Sequence, residues 1–274
     1  MQEKENFIDV EKVIAGKSPR LIKFLPHFII RYIKRIIHQA EINEILSQHG
    51  QKQGVEFIDA VLKHMDVSYQ VEGIENISQD GRYLFASNHP LGGLDGMILI
   101  HLLGQEYPEV KFPVNDLLMH LKQLHGIFIP VNKHGSQSSQ NARALEQAYS
   151  SSSQILYFPA GLCSRKQKGK IEDLEWKKSF ITKALRHQRD IVPIYFSGRN
   201  SNFFYNLAKL RAFFGIKANI EMLYLVDEMF KQKGKNIVVK IGKPIPYKNF
   251  DNSLPPQGWA NWVKSSVYEM AQNS

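Results

Sequence analysis

The sequence predicts an α/β fold, a central, largely parallel mixed sheet flanked by helices, and three observations carry that prediction. From Val67 onward, short branched or aromatic runs alternate with longer segments of helical period, the pattern of βαβ units. The chain has 274 residues, of which 43% are hydrophobic, enough for one large α/β domain and an appendage. Before Val67 the apolar period is helical. Residues 1–66 are therefore read as an N-terminal helical region and residues 67–274 as the α/β domain.

In the N-terminal region Leu21, Phe24, Leu25, Phe28, Ile29, Tyr32, Ile33 and Ile36 recur at i, i+3, i+4 spacing, while Arg20, Lys23, Arg31 and Lys34 follow the same period on another face. No acidic residue lies between Glu11 and Glu41. Pro26 kinks or splits the helix, because it lacks a donor and its ring clashes with the preceding turn. A basic face beside an aromatic one describes an interfacial membrane helix, so the region is expected to be amphipathic and membrane-attaching. Packing of the same apolar face on the core is the alternative. A second helix is expected from Glu41 to His64, then a strand from Val67 to Val71.

Further strands are expected at Tyr83–Ala86, Val110–Val114, Ile127–Val131, Ile155–Phe158, Val192–Phe196, Ile220–Leu225 and Ile237–Ile241. Helices are expected at Gly96–Leu103, Asp116–Leu124, Asn141–Ser150, Glu172–His187, Phe203–Arg211 and Pro256–Met270. In such sheets ligands bind at the carboxyl ends of the strands, so the loops there are where functional residues are sought.

The balance of 35 basic to 26 acidic residues gives a net charge of +9 and favours an anionic partner: a membrane surface, a nucleic acid or a phosphorylated substrate. No recognisable nucleic-acid module is present, so a nucleic-acid partner is not expected. Cys163 is the one cysteine, so no intrachain disulfide forms. No segment supplies the ~18 uncharged apolar residues of a membrane-spanning helix. The polar, acidic start from Met1 to Glu11 is unlike a secretory leader. A peripheral place on the cytoplasmic face of the inner (plasma) membrane is expected.

The segment Asn88-His89-Pro90-Leu91-Gly92-Gly93-Leu94-Asp95 leaves the strand Tyr83–Ala86 and places a histidine near an aspartate with glycines between them. A histidine polarised by a carboxylate takes a proton from a hydroxyl or amine near neutral pH. Asn88, with its amide, could fix the loop or bind substrate. Asn, Pro, Gly and Asp also make ordinary turns. Pro159-Ala160-Gly161, followed by Arg165 and Lys166, is a second turn after a strand, with cations for an anion or simply for solvent. Lys133 and His134 follow a third strand. Phe203, Phe204, Leu207, Leu210, Phe213 and Phe214, with Lys209, Arg211 and Lys217, form a second basic-aromatic segment. There is no G-x-S-x-G elbow, phosphate-loop motif or H-E-x-x-H zinc motif, and no metal is expected.

Four ordered blocks, Asn88-His89…Asp95, Gly126-Ile127-Phe128-Ile129, Phe158-Pro159-Ala160-Gly161 and Val192-Pro193-Ile194, resemble the glycerol-phosphate and lysophospholipid acyltransferase superfamily across about residues 68–246. The chain looks most similar to its hemolysin-like branch, which includes bacterial aminolipid O-acyltransferases. The resemblance implies that residues 67–274 form an acyltransferase domain, with His89 as general base and Asp95 as its partner. It further implies an acyl thioester, on acyl carrier protein or coenzyme A, as co-substrate with no other cofactor, and a lysolipid as acceptor. By the same resemblance Asn88, Gly92, Gly93, Lys133, Pro159, Gly161, Arg165 and Lys166 bind substrate. Arg20, Lys23, Phe24, Phe28, Arg31 and Lys34 meet the membrane.

The chain departs from the family pattern at several positions. Ala160 replaces the family's acid, and Leu162-Cys163 stands where Thr-Arg is usual, with Arg165 as a displaced substitute. Lys133 stands in for the second block's arginine. Five residues separate His89 from Asp95 instead of four, which Gly92 and Gly93 can absorb at positive φ. A spacing that disabled the dyad would leave a non-catalytic membrane-binding protein.

Overall fold

A computed structural model of the chain describes residues 8–17, 24–131 and 138–272. Seven strands form one sheet: β1 (Ser68–Glu72), β2 (Tyr83–Ser87), β3 (Val110–Val114), β4 (Phe128–Pro130), β5 (Gln154–Tyr157), β8 (Asp190–Phe196) and β9 (Asn236–Ile241). Their spatial order is β1-β9-β8-β2-β5-β3-β4, and every pairing is parallel except β8 with β9. The sheet is mixed and largely parallel, as the sequence predicts. A separate antiparallel hairpin, β6 (Arg165–Gln167) and β7 (Lys170–Glu172), turns through Lys168 and Gly169. Both turn residues have positive φ, 46° and 88°, which suits the twist of a tight hairpin.

Helices cover both faces. Strand β2 is buried at all five residues, as a central parallel strand must be. Its side chains alternate: Phe85 faces one core while Leu84 and Ala86 face the other. The Phe85 side holds α3 (Gln39–His49), α4 (Gly54–His64) and α5 (Gly93–Glu106), through Ile45, Phe57, Ile58, Ile98 and Leu102. The other side holds α6 (Ser138–Ser150), α7 (Ser179–His187) and α10 (Pro256–Glu269), through Tyr149, Phe180, Ile181, Ala260 and Val263. Two of the helices before β1, α3 and α4, thus share one core with the sheet.

The remaining helices are α1 (Val10–Lys17), α2 (His27–Ile36), α8 (Asn202–Phe213) and α9 (Leu225–Phe230), the last packing Met229 and Phe230 on the first core. Pro26 caps α2, so the helix starts just after the proline. Glu41–His64 divides into α3 and α4 at residues 50–53, with Gly54 at φ 55°.

Three expected elements differ. Ile220–Leu225 is a 3₁₀ turn running into α9 and not a strand, because Glu221 is fully buried between Arg165 and Arg211 (2.9 and 2.8 Å). A side chain held from two directions fixes a turn, which the apolar alternation of the segment conceals. Asp116–Leu124 is two 3₁₀ turns, Asp116–His120 and Lys122–Leu124. The helix expected from Glu172 begins only at Ser179, since the preceding residues complete the hairpin and bury Asp173 and Trp176.

Candidate active site

Parallel strands β2, β5 and β8 end at the same edge of the sheet, and their following loops converge there. Asn88 leaves β2 buried, and its side chain takes over the pairing with β8: its amide donates to the Phe196 carbonyl (3.0 Å) and its Oδ1 accepts from the Phe196 N–H (2.6 Å). Those bonds commit the Asn88 amide to fixing the loop.

Gly92 then turns the chain at φ 77°, ψ −128°, a region closed to side chains. Gly93, at ordinary φ, opens α5. Asp95 is the third residue of that helix and reaches back over its amino end. Its Oδ2 accepts from the Leu91 N–H (2.8 Å) and the Gly92 N–H (3.1 Å), and lies 3.0 Å from His89 Nδ1. One glycine therefore absorbs the extra residue, and the five-residue spacing leaves the dyad formed. A carboxylate at a helix amino terminus is also favoured by the helix dipole.

The His89 ring stacks on Phe158, centroids 4.1 Å apart, and its side chain stays 17% exposed while Asp95 is fully buried. The imidazole is thus mostly covered but not sealed. Cys163 is fully buried beside the His89 loop, its Sγ 3.4 Å from where a Cβ on Gly92 would stand. Burial opposes charging of His89, but Cys163 and the Asp95 carboxylate outweigh it and hold the imidazole well above its ordinary value. For Asp95, burial pushes the carboxyl up more than His89 and the Leu91 amide pull it down. The dyad therefore retains a proton strongly, and the two donated amides favour keeping it on His89. Asp95 Oδ1 is buried with no partner among the described residues, so the carboxylate is held by one oxygen.

The loop after β5 is tied to the His89 loop from below. Ser164 N–H donates to the His89 carbonyl (2.8 Å), and the buried Asp173 carboxylate accepts from His89 N–H (3.2 Å), Ser164 Oγ (2.6 Å) and Trp176 Nε1 (2.8 Å). Pro159 and Gly161 form the expected turn, Gly161 at φ 66° and its N–H on the Phe158 carbonyl (3.0 Å). Lys177 Nζ comes to about 3.5 Å of where a Cβ on Gly161 would stand, so a cation does border this turn.

Arg165 takes a different place from the one its sequence suggests. It is 8% exposed, lies on β6, and its guanidinium is spent on the Glu221 carboxylate (2.9 Å) and the Cys163 carbonyl (2.7 Å), over the Phe204 ring. Lys166, the next residue, is half-buried on the same strand. Lys133 lies outside the described residues, as do Arg20 and Lys23. Asp173 and Phe158 are the site residues that sequence reasoning misses. Among the described residues no group of three or more His, Cys, Asp or Glu side chains could hold a metal ion.

On the outer surface Phe24, Phe28 and Tyr32 are exposed, as are Phe203, Leu210, Phe213, Phe214 and Leu223. Tyr224 joins the two groups: its hydroxyl meets that of Tyr32 (2.8 Å) and its ring meets Phe203 edge-on (5.0 Å). Arg31 is exposed beside them, while Lys34 pairs with Glu11 (2.5 Å). No helix among the described residues is long and apolar enough to cross a membrane.

Two relatives align over nearly the whole chain. The lyso-glycine lipid O-acyltransferase of Bacteroides thetaiotaomicron is 49% identical over 264 residues, 96% of this chain and 97% of that one. Its namesake from Phocaeicola vulgatus is 47% identical, covering 96% and 95%. A more distant likeness is to the crystal structure of the 1-acyl-sn-glycerophosphate acyltransferase of Thermotoga maritima, 17% identical with a TM-score of 0.43 over 89% of this chain and 92% of that one. Residues 12–273 match the family model described as Acyltransferase, and the chain belongs to that family of enzymes.

Proposed function

We propose that this acyltransferase moves a fatty acyl group from a thioester, on acyl carrier protein or coenzyme A, to the hydroxyl of a lysolipid held at a membrane surface. The observation that carries the reading is the His89–Asp95 dyad at the carboxyl edge of the sheet, its imidazole stacked on Phe158 and still partly exposed. His89 takes the proton of the acceptor hydroxyl as its oxygen attacks the thioester carbonyl. Asp95 holds the ring by Nδ1 and balances the imidazolium. The tetrahedral intermediate collapses, the carbon–sulfur bond breaks, and the imidazolium returns its proton to the leaving thiolate. Positioned base catalysis of this kind is worth ~10²–10⁴-fold. Neither a metal nor a covalent enzyme intermediate is needed.

A phosphate-free acceptor, such as a lyso-aminolipid, fits this site better than lysophosphatidate. Arg165 is neutralised by Glu221, Cys163 stands where the resemblance expects an arginine, and Ala160 stands where it expects an acid. The names of the two relatives, lyso-glycine lipid O-acyltransferases, point the same way.

Attachment to the membrane is assigned to the joined aromatic face of α2 and α8. Exposed rings bordered by Arg31, Lys209 and Lys217 suit a peripheral helix pair lying in an anionic interface. The acceptor reaches the dyad from that surface. On this reading the enzyme is peripheral and works at the cytoplasmic face, the side where acyl thioesters are found.

Acyl transfer by the purified protein, with both donors and with lyso-glycine lipid set against lysophosphatidate, tests the reading. Product from lyso-glycine lipid, and a loss of ~10²-fold or more in His89→Ala, is expected. A His89→Ala protein that transfers at the wild-type rate would sink the dyad assignment.

A further inference from the structure

A second polar feature lies at the same sheet edge and takes no part in the dyad. Arg199, Asn200, Ser201, Glu228, Lys231 and Lys235 line a cavity of about 310 Å³ beyond the carboxyl end of β8, at the amino end of α8. Asn200 is 1% exposed, yet neither its amide nitrogen nor its amide oxygen has a partner among the described residues. A buried primary amide is stable only when hydrogen-bonded, so a ligand group that reached Asn200 would be favoured. The cations indicate its charge. Lys231 is shared with Asp227 and Glu228 (both 2.7 Å), but Arg199 and Lys235 are exposed and make no ion pair among the described residues. Glu228 is not free to repel an anion fully, since its carboxylate already accepts from Ser201 N–H (2.5 Å), Ser201 Oγ (2.7 Å) and Lys231 Nζ (2.7 Å).

The cavity backs directly onto the catalytic loop. Gly198, one residue before Arg199, packs on the Leu91 side chain (3.3 Å from its ideal Cβ), and Met229, one residue after Glu228, reaches to 3.8 Å of the same point on Gly93. Leu91 and Gly93 flank the glycine that sets the dyad. The cavity is therefore built on residues adjoining those that pack on the loop carrying the dyad, at the edge where this class of sheet binds ligands.

We propose that the cavity is a phosphate subsite for the acyl donor, gripping the phosphate at the far end of the phosphopantetheine arm while the thioester lies at His89. The assignment rests on the thioester-donor reading above. Coenzyme A and acyl carrier protein both carry this phosphate, so the subsite recognises what the two share. Arg199 and Lys235 supply the charge, and Asn200 supplies a neutral donor. Phosphate held this way positions the arm without touching the reacting atoms.

The experiment compares a coenzyme A thioester with the phosphate-free N-acetylcysteamine thioester of the same acyl chain. It uses the wild type, Arg199→Glu/Lys235→Glu, Asn200→Asp, and the charge-matched surface control Lys122→Glu/Lys248→Glu. The ratio of kcat/KM for the two donors is expected to fall about tenfold or more in the first two variants and to hold in the control, with the loss in donor KM. Titration of free coenzyme A and of pantetheine by calorimetry reads the subsite without turnover: coenzyme A binds the wild type more tightly, and the variants lose the difference. An unchanged ratio, or equal loss in the control, overturns the proposal. So does loss of binding to phosphatidylglycerol vesicles with the donor ratio intact, which would assign the cations to a lipid phosphate. If no thioester is turned over yet coenzyme A binds at the wild-type cavity alone, the donor reading fails and the subsite stands. If both fail, both fall.

Discussion

His89 must be neutral to accept a proton, and its surroundings hold it charged well above the ordinary value for a histidine. The sign follows: as pH rises through the raised value the base form accumulates, so kcat/KM climbs on the alkaline side of neutrality and is depressed at pH 6. Asp95→Asn removes the carboxylate that stabilises the imidazolium. The limb should move to lower pH while the rate drops ~10²–10⁴-fold, because the ring also loses its orientation. A pH–rate profile of wild type and variant checks both, and a limb that stays in place in Asp95→Asn would show that Asp95 does not set the base. Cys163 raises the His89 value, as Asp95 does. Direct transfer needs no thiol, so Cys163→Ala should shift the limb the same way yet lose no more than about tenfold in rate. Intact-mass detection of an acylated wild-type protein during turnover would instead make Cys163 a nucleophile.

Elements carry these residues only because particular side chains fix their geometry. Gly92 is the hinge between β2 and α5: an alanine there meets Leu225 at 3.1 Å and a φ of 77° that L-residues avoid. Gly92→Ala should cost ~1–3 kcal/mol in urea unfolding, and lose activity beyond that, since the Gly92 N–H holds Asp95. The buried Arg165–Glu221–Arg211 group ties the hairpin to α8 and to the turn before α9. Glu221→Gln leaves two guanidinium groups without their carboxylate, and a loss of ~3–5 kcal/mol in the same assay is expected. How much of this is legible in the sequence depends on the range of the contact that decides each element. Strands such as Tyr83–Ser87 are legible because burial on both faces demands a continuous apolar run. The dyad is legible because His89 and Asp95 sit in one loop and one helix turn. The Ile220–Tyr224 turn is not, since it depends on Arg165, 56 residues before Glu221. Asp173 is hidden for the same reason: in Glu172-Asp173-Leu174-Glu175 it reads as a solvated charge, and only Trp176, Ser164 and the His89 amide bury it.

At the scale of the whole molecule, one sheet edge gathers the dyad, the turn after β5 and the cavity beyond β8, while the exposed aromatic face of α2 and α8 lies outside the layered core. The outermost rings of that face lie apart from the packed interior. Phe28, Phe213 and Phe214 are 66%, 84% and 66% exposed, so removing their rings takes almost nothing from the packed interior. Burying them in a bilayer interface would each contribute ~1.5–3 kcal/mol, and each nearby cation about 1 kcal/mol more against anionic lipid. The triple variant Phe28→Ser/Phe213→Ser/Phe214→Ser should therefore keep the wild-type Tm yet leave anionic vesicles in a flotation assay at protein and lipid concentrations that retain the wild type. Reversing Arg31, Lys209 and Lys217 to Glu should weaken attachment at low salt and matter less as salt screens the surface. Activity separates the roles of face and site. If the face delivers the acceptor, the triple serine variant should lose turnover on vesicle-borne lysolipid but keep it on the same lipid dispersed in detergent. Equal loss in both would place these rings in the catalytic path, and unchanged flotation would remove the face from membrane attachment altogether.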